Sequence, residues 1–118
     1  ILILDEPTAG LDWRSAQELL ARVRALWEQG HTIILVSHDM RLVAQHALQT
    51  LVMHQGRVLA YGPTARVLAQ DDLLRTAQLR PPQARQLAQR LSDLGLPPDT
   101  LSVDALVEAW MALMEARR

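Results

Sequence analysis

The sequence contains no lysine, no cysteine and no phenylalanine. Without cysteine, neither disulfide bonds nor thiolate metal ligands can form, although this absence leaves the redox compartment open. The sequence also has no apolar run near the roughly 20 residues that a membrane-spanning helix needs, and no signal-peptide pattern. These absences lead us to expect a soluble, cytoplasmic chain.

The charges of the chain nearly balance, with 12 arginines against 13 acidic residues and a net charge of −1. Proteins that bind nucleic acid carry a basic patch, and this sequence shows none, so we expect no nucleic-acid partner. Apolar residues make up 49% of the chain, which is enough for a buried core. The first residue is an isoleucine inside an apolar run, and we interpret this start as an upstream truncation.

The first 47 residues alternate between strand and helix patterns. Ile1–Leu4 is apolar on both faces, which is typical of a buried parallel strand, and 32–36 is a second such run. Between them, one-sided apolar spacing predicts a helix from Trp13 to Gln29, with Asp12 as its N-cap and Gly30 at its end. A short helix is predicted over 40–47.

In the middle of the chain the sequence predicts a hairpin, because Gln55-Gly56 separates two strand patterns at 50–54 and 57–61. Thr64 to Ala69 is then predicted as a short helix. Parallel strands followed by a hairpin indicate an α/β fold, in which sites lie at the carboxyl ends of the parallel strands.

Helical patterns fill the rest of the chain. They cover residues 71–80, a segment from Pro82 closed by Gly95, and a final helix capped by Ser102. We place the domain boundary here, with residues 1–78 as an α/β domain and 79–118 as a helical extension.

Two polar clusters follow the two predicted parallel strands. Asp5 and Glu6 end the first strand, where one carboxylate can hold Mg²⁺ and the other can deprotonate a water. Side chains alternate in direction along a strand. If the strand geometry persists, the two carboxylates therefore lie on opposite faces and can serve different tasks. His38 ends the second strand. Taken singly, an Asp-Glu pair also occurs where a strand meets solvent, and a strand-end histidine is more often ordinary than functional.

The order of these motifs resembles the ATPase subunits of ABC transporters. Asp5-Glu6-Pro7-Thr8-Ala9-Gly10-Leu11-Asp12 is similar to a Walker B motif that continues into the D-loop, and Ser37-His38-Asp39 is similar to the H-loop. The resemblance covers about residues 1–70. It implies a partial P-loop NTPase sheet followed by a small helical extension.

The resemblance also implies a role for each matching residue. Asp5 would hold Mg²⁺, Glu6 would be the catalytic carboxylate, and His38 would act in catalysis and contact the γ-phosphate of ATP. Gly10 and Asp12 would contribute to nucleotide binding from the D-loop, which faces a second ATPase subunit. The implied cofactors are ATP and Mg²⁺.

Several motifs of that family are absent from the 118 residues. The chain has no Gly-rich phosphate loop with its lysine, no Gln-bearing loop and no Ser-Gly-Gly-Gln-type signature. All of these normally precede Walker B, so a single truncation accounts for them together. We expect the intact protein to be an ATPase and the isolated chain to be inactive.

Residues 82–107 resemble the C-terminal extension of the energy-coupling-factor ATPases, which power importers of vitamins and of cobalt or nickel ions. This resemblance implies two kinds of partner, a second identical or paralogous ATPase subunit and integral membrane transporter subunits. It also implies a peripheral location on the cytoplasmic face of the membrane. An ordinary helix pair folded onto the core is the alternative for this segment.

Two other functions stay open at this stage. The chain can be a non-catalytic remnant or interaction module, since it lacks the phosphate loop. It can also belong to another class of ABC ATPase, such as one in DNA repair or translation. The transported substrate, the direction of transport and the identity of the second subunit are not encoded in these motifs.

Overall fold

The computed structural model describes residues 1–117. In chain order its elements are β1 (Leu2–Asp5), α1 (Trp13–Glu28), β2 (Ile33–Val36), α2 (Met40–His46), β3 (Gln49–His54), β4 (Arg57–Pro63), α3 (Thr64–Leu68), α4 (Asp71–Thr76), α5 (Gln83–Arg90), a 3-10 helix (Ser92–Leu94) and α6 (Val103–Ala116). The chain divides into two compact units, Ile1–His38 and a second unit that starts at Asp39. Over the described range, every helix is too short or too polar to cross a membrane.

The first unit contains the predicted pair of parallel strands. β1 and β2 run side by side in register, from Leu2 opposite Ile33 to Asp5 opposite Val36. Apart from Asp5, both strands consist of aliphatic residues that suit a pleated surface. One face of the pair is nevertheless open, with Ile3 65% and Ile34 46% exposed. Burial on both faces, which the sequence predicts, is therefore not reached within the described residues.

Helix α1 begins at Trp13 as the sequence predicts and ends at Glu28, one residue before the predicted end. The Asp12 carboxylate accepts a hydrogen bond of 2.8 Å from the Ser15 backbone N–H, which caps the first turn. At the other end Gly30 takes a left-handed conformation, with φ of 91°. The His31 N–H then donates to the carbonyl of Leu26, as in a Schellman motif. The buried residues of the helix lie on one face: Ala16, Leu20 and Val23.

The second unit opens with α2 and the predicted hairpin. β3 and β4 are antiparallel, and their turn residues Gln55 and Gly56 both have positive φ, 49° and 73°. Two positive φ angles in a two-residue loop match the twist of the flanking strands. The register shifts once, between Val52 and Met53, as expected for a β-bulge.

The core of the second unit lies where the hairpin meets the short helices. Val52, Val67 and Ala77 form a buried cluster, and further apolar side chains pack against it: Leu59, Ala60, Leu73 and Leu79. Leu68 and Leu74 are fully buried. These side chains come from β3, β4, α3, α4 and the segment after α4, so the core joins the hairpin to the two short helices that follow it.

Helix α4 ends earlier than predicted, at Thr76 rather than residue 80. Gln78 adopts a left-handed conformation with φ of 59°, and the Leu79 N–H donates to the carbonyl of Leu74. This is again a Schellman ending, here without glycine. It directs Leu79 into the core cluster, which offsets the conformational cost at Gln78.

A buried arginine connects α4, α5 and the loop before α6. Arg85 is 6% exposed, and its guanidinium donates to both carboxylate oxygens of Asp71, each at 3.3 Å. It also donates to the backbone carbonyls of Ala69 at 2.9 Å and Pro98 at 3.4 Å. Gln89 donates a further bond to the Asp71 carboxylate. A charge removed from water in this way needs such partners, and here it has four acceptors.

Gly95, which follows the 3-10 helix, lies against α6. The helix predicted up to this glycine ends at Arg90 instead and is followed by the 3-10 helix, while Gly95 has φ of 103°. A Cβ at this position would lie 2.7 Å from a methyl group of Leu113 on α6, so glycine permits the close approach. Ser102 caps α6 as predicted. The boundary between residues 78 and 79 stays a prediction.

Candidate active site

The carboxyl ends of β1 and β2 bring the two polar clusters of the sequence together. Because the strands are parallel and in register, Asp5 lies opposite Val36, and the next residues of each strand meet at the same edge. These next residues are Glu6 on one side and Ser37 with His38 on the other. The convergence expected at the ends of parallel strands is therefore present.

The backbone turns sharply at Glu6. Its N–H still donates to the Val36 carbonyl at 2.8 Å, but its φ is 44°, in the left-handed region. A residue before proline prefers extended conformations, so this position is strained. The strand geometry that would send Asp5 and Glu6 to opposite faces thus ends at Asp5. The turn itself, rather than strand alternation, directs the Glu6 side chain.

Three hydrogen bonds hold the Glu6 carboxylate against the end of β2. Oε1 accepts from the His38 backbone N–H at 2.9 Å and lies 2.6 Å from His38 Nδ1. Oε2 accepts from the Ser37 hydroxyl at 3.1 Å. An ionised carboxylate only accepts, so Nδ1 carries a proton in its bond to Oε1. The Glu6 side chain is 34% exposed, and the His38 side chain is 85% exposed.

These bonds favour the ionised form of Glu6. The hydrogen bond from the His38 ring lowers the pKa of Glu6, and the bonds from the His38 backbone N–H and the Ser37 hydroxyl lower it further. Partial burial of the carboxylate raises the pKa but does not outweigh the bonds. Glu6 is therefore a carboxylate at neutral pH, which is the state that a general base requires.

Asp5 is the last residue of β1, and its side chain is exposed beside the Glu6 turn. Mg²⁺ takes oxygen ligands and is often bound through only one or two carboxylates together with substrate phosphates. A single exposed carboxylate at this edge fits that pattern. Across residues 1–117, no three His, Cys, Asp or Glu side chains cluster to form a metal site from protein groups alone.

The D-loop candidates lie in the turn between β1 and α1. Gly10 has φ of 74°, which glycine adopts without strain, and it is exposed. The Asp12 carboxylate accepts from both the N–H and the hydroxyl of Ser15, at 2.8 and 3.2 Å. These bonds lower the pKa of Asp12. Asp12 thus bonds to its own helix, whereas Glu6 and His38 bond to each other.

Comparisons with known proteins identify relatives over the whole chain. The energy-coupling factor transporter ATP-binding protein EcfA2 of Symbiobacterium thermophilum is 40% identical over 120 residues, which cover 100% of this chain and 42% of that protein. A putative ABC transporter ATP-binding protein of Methanosarcina acetivorans is 42% identical over 90% of this chain and 17% of its own length. This chain is similar to ABC-transporter ATP-binding proteins over its whole length. It spans less than half the length of these relatives.

A solved structure agrees with these relatives. CbiO1 of Clostridium perfringens, described as part of the ABC transporter complex cbiONQ, matches with a TM-score of 0.51 and 40% sequence identity. The match covers 67% of this chain and 32% of that one. No protein-family profile matches the chain. The predicted resemblance to energy-coupling-factor ATP-binding proteins and the predicted α/β fold are confirmed.

Sequence reasoning did not single out the Ser37 hydroxyl as a site group. Ser37 stands beside His38 in the H-loop motif, but a serine after a strand has no distinctive pattern. The in-register pairing of β1 and β2 is the signal that could have found it, because Asp5 pairs with Val36 and the next residue of each strand is Glu6 and Ser37.

Proposed function

We propose that this chain provides the Walker B, D-loop and H-loop part of an ABC-type ATPase that drives an importer. The observation that carries the proposal is the Glu6 carboxylate, held by Ser37 and His38 at the shared end of two parallel strands. The 40% identity to an energy-coupling factor ATP-binding protein supports it. By analogy with such importers, the transported substrate is a metal ion or a vitamin.

In the proposed reaction Glu6 is the general base. It takes a proton from a water whose oxygen forms a bond to the γ-phosphorus of ATP, while the bond from that phosphorus to the bridging oxygen breaks. ADP and phosphate leave. Proton removal by a positioned carboxylate typically contributes about 10²–10⁴-fold to the rate.

His38 and Asp5 are proposed to serve the phosphate side of the same site. His38, whose Nδ1 is bonded to Glu6, would contact the γ-phosphate and link that contact to the position of the base. Asp5 would hold Mg²⁺, which neutralises negative charge on the phosphates. The β- and γ-phosphates also need a Gly-rich loop and a lysine, and these must come from outside the 118 residues.

The proposed partners follow from the same family. A second ATPase subunit, identical or paralogous, would face the turn that contains Gly10 and Asp12. Integral membrane subunits would hold the complex at the cytoplasmic face of the membrane, where this subunit would be peripheral. No nucleic-acid partner is proposed.

A non-catalytic role is the second candidate, favoured by the absence of any lysine or Gly-rich loop from the chain. Under either function, the isolated 118 residues would bind the phosphates of ATP too weakly for turnover. The two candidate functions therefore predict different turnover only for an ATPase that contains both this chain and a phosphate loop.

The test of the proposed function is Glu6→Gln in the complete ATPase that contains this chain. We expect turnover to fall by about 10²–10⁴-fold because an amide cannot take the proton, while ATP binding persists. Turnover would be measured by phosphate release and binding by fluorescent-nucleotide titration.

The matched control is Glu18→Gln, the same substitution on α1 at a carboxylate whose pair with Arg14 is exposed. This control should leave turnover unchanged. Near-normal turnover in Glu6→Gln would remove Glu6 from catalysis and favour the non-catalytic role.

A further inference from the structure

The two oxygens of the Glu6 carboxylate have different surroundings. An ionised carboxylate offers about four acceptor positions, two on each oxygen. Within residues 1–117, Oε1 accepts from both the backbone N–H and the ring of His38, which fills its two positions. Oε2 accepts from the Ser37 hydroxyl, so one position stays open on this oxygen. Oε2 is thus the oxygen with capacity for a water.

The Ser37 hydroxyl sets the direction of that open position. A carboxylate held on one oxygen only can still rotate about its last side-chain bond, which is a soft torsion in Glu. The bond from Ser37 to Oε2 fixes this rotation, because it anchors the second oxygen at 3.1 Å from a residue that directly follows β2. The bond from Ser37 is part-buried and lies just beyond the paired strands, whereas the His38 side chain is largely exposed.

From this geometry we propose that Ser37 is a positioning residue, whose hydroxyl orients Glu6 Oε2 toward the attacking water. The inference rests on the proposed function, since it needs Glu6 as the base. Ser37 does not take or give the reacting proton. It holds the oxygen that does, and misplacement of a catalytic group by about 1 Å can cost on the order of 10²-fold in rate.

The test compares Ser37→Thr with Ser37→Val in the complete ATPase. Thr and Val have nearly the same shape, but only Thr keeps a hydroxyl for Oε2. We expect Ser37→Val to lower kcat by about tenfold or more with little change in KM for ATP, and Ser37→Thr to keep most of kcat. Ser37→Ala should behave like the Val variant.

Two further variants test whether the effect on kcat is specific to Ser37 and whether it acts through Glu6. Ser92→Ala removes a serine hydroxyl that donates to the Gln89 carbonyl in the second unit, and it should leave kcat unchanged. The double variant Glu6→Gln with Ser37→Val should be no slower than Glu6→Gln alone, because the two residues act as a unit.

The outcomes distinguish a failure of the positioning role of Ser37 from a failure of the proposed function. If Glu6→Gln is slow and Ser37→Val has normal kcat, the positioning role is overturned and the proposed function stands. If Thr and Val variants lose kcat equally, the hydroxyl is not the cause and the inference also falls. If Glu6→Gln itself turns over normally, both the function and the inference are overturned.

Discussion

The two units of the chain use their apolar residues differently. In the first unit, the strand residues Ile3 and Ile34 are 65% and 46% exposed, and the hydrogen-bonded polar groups lie at the strand ends. In the second unit, Leu68 and Leu74 are fully buried in a core that joins a hairpin to helices. The first unit thus carries the candidate site on an incompletely covered sheet, whereas the second carries most of the packing.

The largest effect is expected when the two units are expressed separately. We expect residues 39–118 to unfold cooperatively, because this segment contains its own buried core. Residues 1–38 should stay unfolded alone, since chains below about 40 residues rarely bury enough surface without a disulfide or a metal. Circular dichroism during thermal unfolding would report both results. A cooperative transition in residues 1–38 would contradict the comparison.

A smaller effect is expected from truncating one core side chain. Leu74→Ala should reduce the free energy of unfolding by about 2–5 kcal/mol, because it leaves a cavity at a fully buried position. Ile34→Ala in β2 is the matched change in the first unit, and roughly 1 kcal/mol is expected there, since that side chain is already half exposed. Urea unfolding measures both values. Equal losses would show that the two units are packed alike.

The smallest of the three effects concerns the buried arginine. Arg85→Met should cost about 1.5–3 kcal/mol, because the charged hydrogen bonds to Asp71 and two carbonyls are lost. Arg75→Met removes an arginine whose pair with Asp72 is exposed, and it should change stability little. Thermal unfolding of both variants makes the comparison. A loss in Arg75→Met as large as in Arg85→Met would exclude a special role for burial.

Helix ends show how far the sequence predicts this fold. Helices α1 and α4 end in the same Schellman motif, with left-handed residues at Gly30 and Gln78. The first ending was predictable, because glycine adopts this conformation at little cost. The second was not, because Gln78 has no such preference. Its conformation depends on the burial of Leu79 in the core, which is a tertiary contact.

The candidate site shows the same division between local and tertiary information. The motifs place Glu6 and His38 at strand ends, and the register of the strands brings them together. The left-handed turn at Glu6 could not be predicted, because a residue before proline prefers an extended backbone. Its conformation depends on bonds to Val36, Ser37 and His38 on the neighbouring strand. The catalytic and binding roles of these residues stay predictions.

The burial of Arg85 also affects how proteases can cut the chain. Since all 12 basic residues are arginines, trypsin has cleavage sites only at arginine positions. Arg57 lies exposed beside the hairpin turn, while Arg85 lies inside α5 with its guanidinium bonded on several sides. Cleavage after Arg85 requires local unfolding of that helix first, so its rate records how often this part of the second unit opens.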